Sequence, residues 1–246
     1  MLRHCCRLAE QYRSGRIEND IIFFYMYMVL EQGALTGKYD TEHPFPADSY
    51  KMKGLVNMEY AKLGNTDIEV SKLCVGCMSF GKPGTLHDWT LDEIGTEEIV
   101  KHALDLGINF FDTANGYSEG TSEEYLGNAL RKNVSRDKVV IASKVYFNPG
   151  RLSSEAIHRE IEGSLKRLGT DYLDLYIIHR FDYDTPIEET MEALNDLVVS
   201  GKVRAIGASA MYGYQFYNMQ LAARDNGWTQ FVAMENHYNL LYREDE

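Results

Sequence analysis

The sequence predicts an α/β protein of the (β/α)8 TIM-barrel type, incomplete, with about six to seven strands. Three observations predict it. The chain has 246 residues, and one (β/α)8 barrel takes roughly 250. From Met58 onward, short apolar runs alternate with amphipathic segments of about 10–17 residues, the pattern of βαβ units and a parallel sheet. Polar residues recur at the ends of the apolar runs, about one unit apart.

The elements follow in order. YAKLGNTDIEVSKL reads as a hairpin turning at Gly64-Asn65. LCVGC (73–77) is a strand, followed by a helix at 96–107 with Ile99, Ala103 and Leu104 on one face and Gly107 as its stop. NFFDTA (109–114) is the next strand, and 122–133 the next helix, with Ser122 as N-cap. Strand 138–145 precedes helix 153–169, strand 172–180 precedes helix 187–201, and strand 202–210 precedes helix 214–227. TQFVAMENHY (229–238) closes the series, so residues 58–246 hold about six strands. At about 31 residues per unit, two units of a full barrel have no counterpart after it, and the chain reads as truncated after strand six.

Composition narrows the function. Hydrophobic residues at 44% and charged residues at 25% exclude a disordered chain, a collagen and a disulfide scaffold. A net charge of -12 offers no basic footprint for nucleic acid. Residues 1–57 are balanced in charge, so the excess falls on 58–246, which marks 1–57 as an N-terminal extension to the barrel. The apolar run Ile21–Leu30 is too short for the roughly 20 residues of a membrane span, and no signal peptide is evident. Cys74 and Cys77 form a C-x-x-C, but three residues along a strand put them on opposite faces. They read as buried thiols of a reduced, cytoplasmic protein, with no metal site.

The chemistry lies in Asp112, Lys144, His179 and Ser209, at the ends of successive strands and 30 to 35 residues apart. Strand C-termini share one mouth of a barrel, where active sites of this fold sit. Tyr117, five residues after Asp112, reaches the same mouth. A phenol titrates near 10, and the Lys144 ammonium is expected to lower that value, with Asp112 holding the ammonium in place. His179 would orient a carbonyl oxygen. Such a set suits hydride reduction of a carbonyl with a nicotinamide donor. Taken singly, each residue has an ordinary structural reading: a helix cap, a snorkelling lysine, a core histidine. Four of them in phase are harder to explain by packing.

NFFDTANGYSEGTSEEYLGNAL, VVIASKV, LDLYIIHR and VRAIGAS resemble the aldo/keto reductase family, in its bacterial branch related to the potassium-channel β subunits. The resemblance covers 58–246 and implies a (β/α)8 barrel that binds NADPH without a Rossmann fold. It implies a catalytic tetrad of Asp112, Tyr117, Lys144 and His179, with Tyr117 as general acid. It also implies that Gly76, Cys77 and Met78 lie near the nicotinamide and that Ser209 touches its carboxamide. Two positions depart from the family. Ala210 stands where Asn is common, and Glu235 where a Gln is found, which replaces an amide donor by a charge.

FFYMYMVLEQGALTGKYDTEHPFP (23–46) resembles the family's seventh strand and following loop, with Tyr27 stacking on the nicotinamide. The eighth strand has no counterpart. Two origins stay open: the tail of one reductase fused to a truncated neighbour, or a permuted barrel with 21–39 docked beside 229–238. Open strand edges would favour self-association. The expected function is NADPH-dependent reduction of a small-molecule aldehyde or ketone. The alternative is an inactive reductase fragment or binding module.

Overall fold

The computed structural model of the chain describes residues 22–23, 58–85 and 87–237. A two-residue strand, β1 (Ile22–Phe23), precedes an antiparallel hairpin of β2 (Tyr60–Lys62) and β3 (Glu69–Ser71). Six strands then alternate with five helices. The strands are β4 (Cys74–Gly76), β5 (Phe110–Asp112), β6 (Val140–Val145), β7 (Leu173–Ile178), β8 (Val203–Ser209) and β9 (Ala233–Glu235). The helices are α1 (Glu93–Asp105), α2 (Thr121–Asn133), α3 (Ser154–Leu168), α4 (Ile187–Val199) and α5 (Gly213–Asn226).

Local chemistry sets the helix ends. The Asp92 carboxylate accepts from Gly95 N at 2.9 Å and starts α1 three residues before the expected position. Ser153 caps α3, which stops at Gly169 in the left-handed conformation, φ +67°. Between them Ile157, Ile161, Leu165 and Leu168 form one buried stripe. Ser122, expected as an N-cap, is not one. α2 begins at Thr121 after a left-handed Gly120, and the buried Ser122 hydroxyl donates to Cys77 O at 2.7 Å. It ties the helix to the end of β4. Where α2 meets α3 the fit is tightest, since a Cβ on Gly127 would stand 2.3 Å from Leu168 O.

The sheet is a curled, wholly parallel one, ordered β1-β9-β8-β7-β6-β5-β4. Among the described residues β4 and β1 are its two edges. β1 stands beside β9, with Ile22 in register with Ala233 and Phe23 with Met234. That is where the segment 21–39 was expected, and of it only these two residues are described. Tyr27 lies outside the described residues.

Alternate residues along the strands part into two cores. Val75, Phe111, Ile141, Tyr176 and Met234 pack against the helices. Cys74, Phe110, Val140, Ala142, Leu175, Ile177, Ala205 and Ala233 fill the inside of the curl. Leu63, Ile68 and Val70 of the hairpin join the inner core and plug one end of it. Cys74 belongs to the inner core and Cys77 to the helix-side core, both as free thiols, in keeping with opposite faces. Among the described residues no helix is long and apolar enough to cross a membrane, and no group of His, Cys, Asp or Glu is placed to hold a metal.

Candidate active site

Parity assembles the site. Gly76, Asp112, Lys144, His179, Ser209 and Glu235 each continue the inward-facing series of their strand by two residues. Parallel strands in register bring these ends together, Gly76 beside Asp112 and Ser209 beside Glu235. Lys144 is fully buried. Its ammonium pairs with Asp112 Oδ2, donates to Thr113 O at 3.1 Å, and lies 3.6 Å from Glu235 Oε2. Asp112 Oδ1 and His179 Nδ1 are buried without a hydrogen-bond partner among the described residues.

Tyr117 arrives from the loop after β5. Ser118 (φ 47°) and Glu119 (φ 56°) both adopt the left-handed conformation behind it. For a residue with a Cβ that conformation costs about 1–2 kcal/mol. The turn is held by the Ser118 hydroxyl, which donates to Phe80 O at 3.1 Å. It sets the Tyr117 ring edge-on to His179, centroids 5.6 Å apart, with Lys144 Nζ 5.3 Å from the Tyr117 centroid. On the opposite face of β6 the buried Ser143 hydroxyl bonds Glu123, which also accepts from Arg167 Nε at 2.6 Å. That network anchors the strand carrying Lys144 to α2 and α3.

The electrostatics differ from expectation in one respect. The Tyr117 phenol is pushed up to about 12, not lowered. Burial is the main cause, and the carboxylates of Asp112 and Glu235 add to it against the opposing pull of Lys144. Burial likewise raises Asp112 to about 7, with Glu235 pushing the same way and Lys144 resisting. Burial works against the Lys144 ammonium, but the charges of Asp112 and Glu235 prevail and hold it well above the usual lysine value. His179 is depressed to about 3 by burial and by the charges of Lys144 and Arg180, so its imidazole is neutral at physiological pH.

The remaining candidates are placed unequally. Ser209 is buried at its strand end. Cys77 turns its side chain into the helix-side core, where the thiol donates to Val75 O, so the thiol does not face the strand-end mouth. Met78 is half-buried just beyond it. Ala210 holds φ +47°, a left-handed position that Asn tolerates better than Ala. Outside the tetrad lies a cleft of about 800 Å³, partly open to solvent, lined by Tyr146, Phe147, Phe181, Tyr183, Met211 and Tyr212. Phe147 stands edge-on to His179 at 5.0 Å. Sequence reasoning missed this aromatic rim. Its signal was present, since aromatic residues follow β6, β7 and β8 within five positions of each strand's last residue.

Comparison with known proteins identifies the family. The sequence profile of the aldo/keto reductase family matches residues 72–246. An aldo-keto reductase of Fusarium vanettenii is 45% identical over 218 residues, covering 77% of this chain and 59% of its own length. The versiconal hemiacetal acetate reductase of Aspergillus parasiticus is 43% identical over 213 residues, covering 77% of this chain and 62% of its own length. The chain therefore spans about three fifths of these relatives. A crystal structure of the thermostable aldo-keto reductase Tm1743, bound to the inhibitor epalrestat, superposes with a TM-score of 0.66 at 32% identity. That match covers 76% of this chain and 65% of the other. With a family profile over residues 72–246 and relatives above 40% identity, the chain belongs to the aldo/keto reductase family.

Proposed function

We propose that the chain is an NADPH-dependent reductase of an aldehyde or ketone, with Asp112, Tyr117, Lys144 and His179 as its catalytic residues. The observation that carries this reading is the convergence of a protonated phenol, a buried ammonium and a neutral imidazole at one mouth. Tyr117 keeps its proton across the physiological range and delivers it to the oxygen that becomes an alkoxide. Lys144 sits close enough to stabilise the phenolate left behind. His179 orients the carbonyl with a ring N–H, and Asp112 holds Lys144.

The residues at the strand ends suit the carboxamide of a nicotinamide. Ser209 supplies a hydroxyl, and the Glu235 carboxylate accepts from an amide N–H. When bound, the nicotinamide supplies the hydride. The aromatic rim favours a flat, apolar carbonyl substrate. The motifs quoted above carry the placement in the branch related to the potassium-channel β subunits, and the likeness of residues 23–46 to strand seven carries Tyr27 as a stacking residue.

The test is NADPH oxidation by the purified chain against a panel of aryl and short aliphatic aldehydes. Turnover with aryl aldehydes that Tyr117→Phe reduces by about 10²–10⁴-fold, with NADPH affinity retained, is the expected result. NADPH binding without turnover in any case moves the chain to the binding-module reading. A folded chain that binds no NADPH overturns the proposal.

A further inference from the structure

The tetrad uses one carboxylate, yet two stand against Lys144. Glu235 is the extra one. Its strand is held in place by pairing with β8, and Glu235 O accepts from Ala210 N at 3.0 Å. Its Oε2 lies 3.6 Å from Lys144 Nζ, while Asp112 pairs with the same nitrogen from β5. Asp112 and Glu235 also line a common small inner pocket of about 50 Å³ with Cys74, Gly76 and Phe110. One ammonium thus serves two carboxylates and a phenol. Relative to a neutral Gln at the same position, the glutamate takes part of the ammonium's field away from Tyr117.

We propose that Glu235 is a positioning residue that acts on the Tyr117 proton through Lys144. Its carboxylate draws Lys144 toward β9 and, by weakening the ammonium's hold on the phenolate, keeps Tyr117 in the protonated form from which a carbonyl reduction starts. The reverse reaction, in which an alcohol O–H gives its proton to the Tyr117 phenolate as hydride leaves for NADP⁺, gains its base only at higher pH. The equilibrium of the overall reaction is untouched. The groups that bear on Tyr117 among the described residues are Lys144 on β6, Asp112 on β5, Glu235 on β9 and the neutral His179 after β7. Of the two carboxylates, Glu235 is the one that faces the mouth, with a third of its side chain exposed. The coupling itself stands on this geometry; its catalytic consequence rests on the reductase reading.

The experiment is a ¹⁹F NMR titration of the full chain carrying Tyr117→3,5-difluorotyrosine, a phenol acidic enough to titrate where the fold survives. The midpoint is read with Glu235 intact, with Glu235→Gln and with Glu235→Asp. With Gln the midpoint is expected about one pH unit lower, about tenfold more phenolate at a given pH. With Asp, which keeps the charge, it is expected to stay near the original value. An unchanged midpoint with Gln overturns the proposal, as does an equal shift with Asp, which would make the effect steric. In the unlabelled protein, alcohol oxidation by Glu235→Gln is expected to rise at lower pH than in the parent. A shifted midpoint with no turnover in any variant removes the reductase reading and leaves the coupling standing. Turnover with no shift does the opposite.

Discussion

Lys144 and Asp112, on neighbouring strands, form an ion pair inside the curl of the sheet, with the ammonium wholly withdrawn from solvent. Burying either charge alone is costly, and each makes the other tolerable. Asp112 keeps a second oxygen without a partner among the described residues, so the pair is not fully satisfied by its surroundings. The folded chain therefore carries an electrostatic cost at the place where its proposed chemistry occurs.

Removing the ammonium exposes that cost. Lys144→Met is expected to destabilise the chain by roughly 3 kcal/mol at about pH 8, and by less at about pH 5. The sign follows from Asp112, whose carboxyl is raised to about 7 even with Lys144 present. A raised carboxyl contributes its stability below its unfolded pKa and loses it as pH rises through the folded one. Urea unfolding at the two pH values measures the difference; an equal loss at both would contradict it.

His179 acts in the opposite direction. Its folded pKa, about 3, lies below the ordinary histidine value, because burial and the Lys144 and Arg180 charges oppose the imidazolium. Stability from the neutral ring is complete above the unfolded pKa of about 6.5 and is lost as pH falls toward 3. His179→Gln, which cannot titrate, is expected to flatten the stability profile between about pH 6 and 4. Thermal melts across that range would show a shallower slope than in the parent chain.

Ala210 is strained for a local reason. It sits at φ +47° directly after β8, where a methyl side chain meets its own backbone. Ala210→Asn or Ala210→Gly is expected to stabilise the chain by about 0.5–1 kcal/mol, read as a shift in the urea midpoint with unchanged slope. A loss of stability with both would mean that the backbone there is held by something other than this turn.

Phe147 tests the substrate class. Its ring is edge-on to His179 and more than half exposed at the cleft. Phe147→Ala is expected to raise KM for aryl aldehydes about tenfold with kcat kept, and to leave a short aliphatic aldehyde nearly unchanged. A parallel change for both substrates would remove the aromatic rim from recognition.

Much of the site was legible before the fold was known, because a parallel barrel has simple arithmetic. Asp112, Lys144, His179 and Ser209 repeat at the length of one βα unit, and period-two parity then turns them inward. Ser122 was misread as a cap. A serine before a helical run signals capping equally well whether or not a left-handed glycine already closes the preceding turn. The aromatic cleft was overlooked because aromatic residues after a strand read as core until their exposure is seen.

By itself, the sequence determined the order of strands and helices, the phase of the polar strand ends and the family. All of these are properties of spacing and local pattern, which need no knowledge of long-range distance. Tertiary structure alone decided the protonation chemistry. Tyr117 was expected to be made more acidic by Lys144, and is instead held protonated, with its pKa near 12. The reason is that a pKa depends on burial and on every charge within a few ångströms, here including Glu235, which is 91 residues from Lys144 along the chain and 3.6 Å away in space. Desolvation and Coulomb energy follow distance in the fold, which the linear order of residues does not contain.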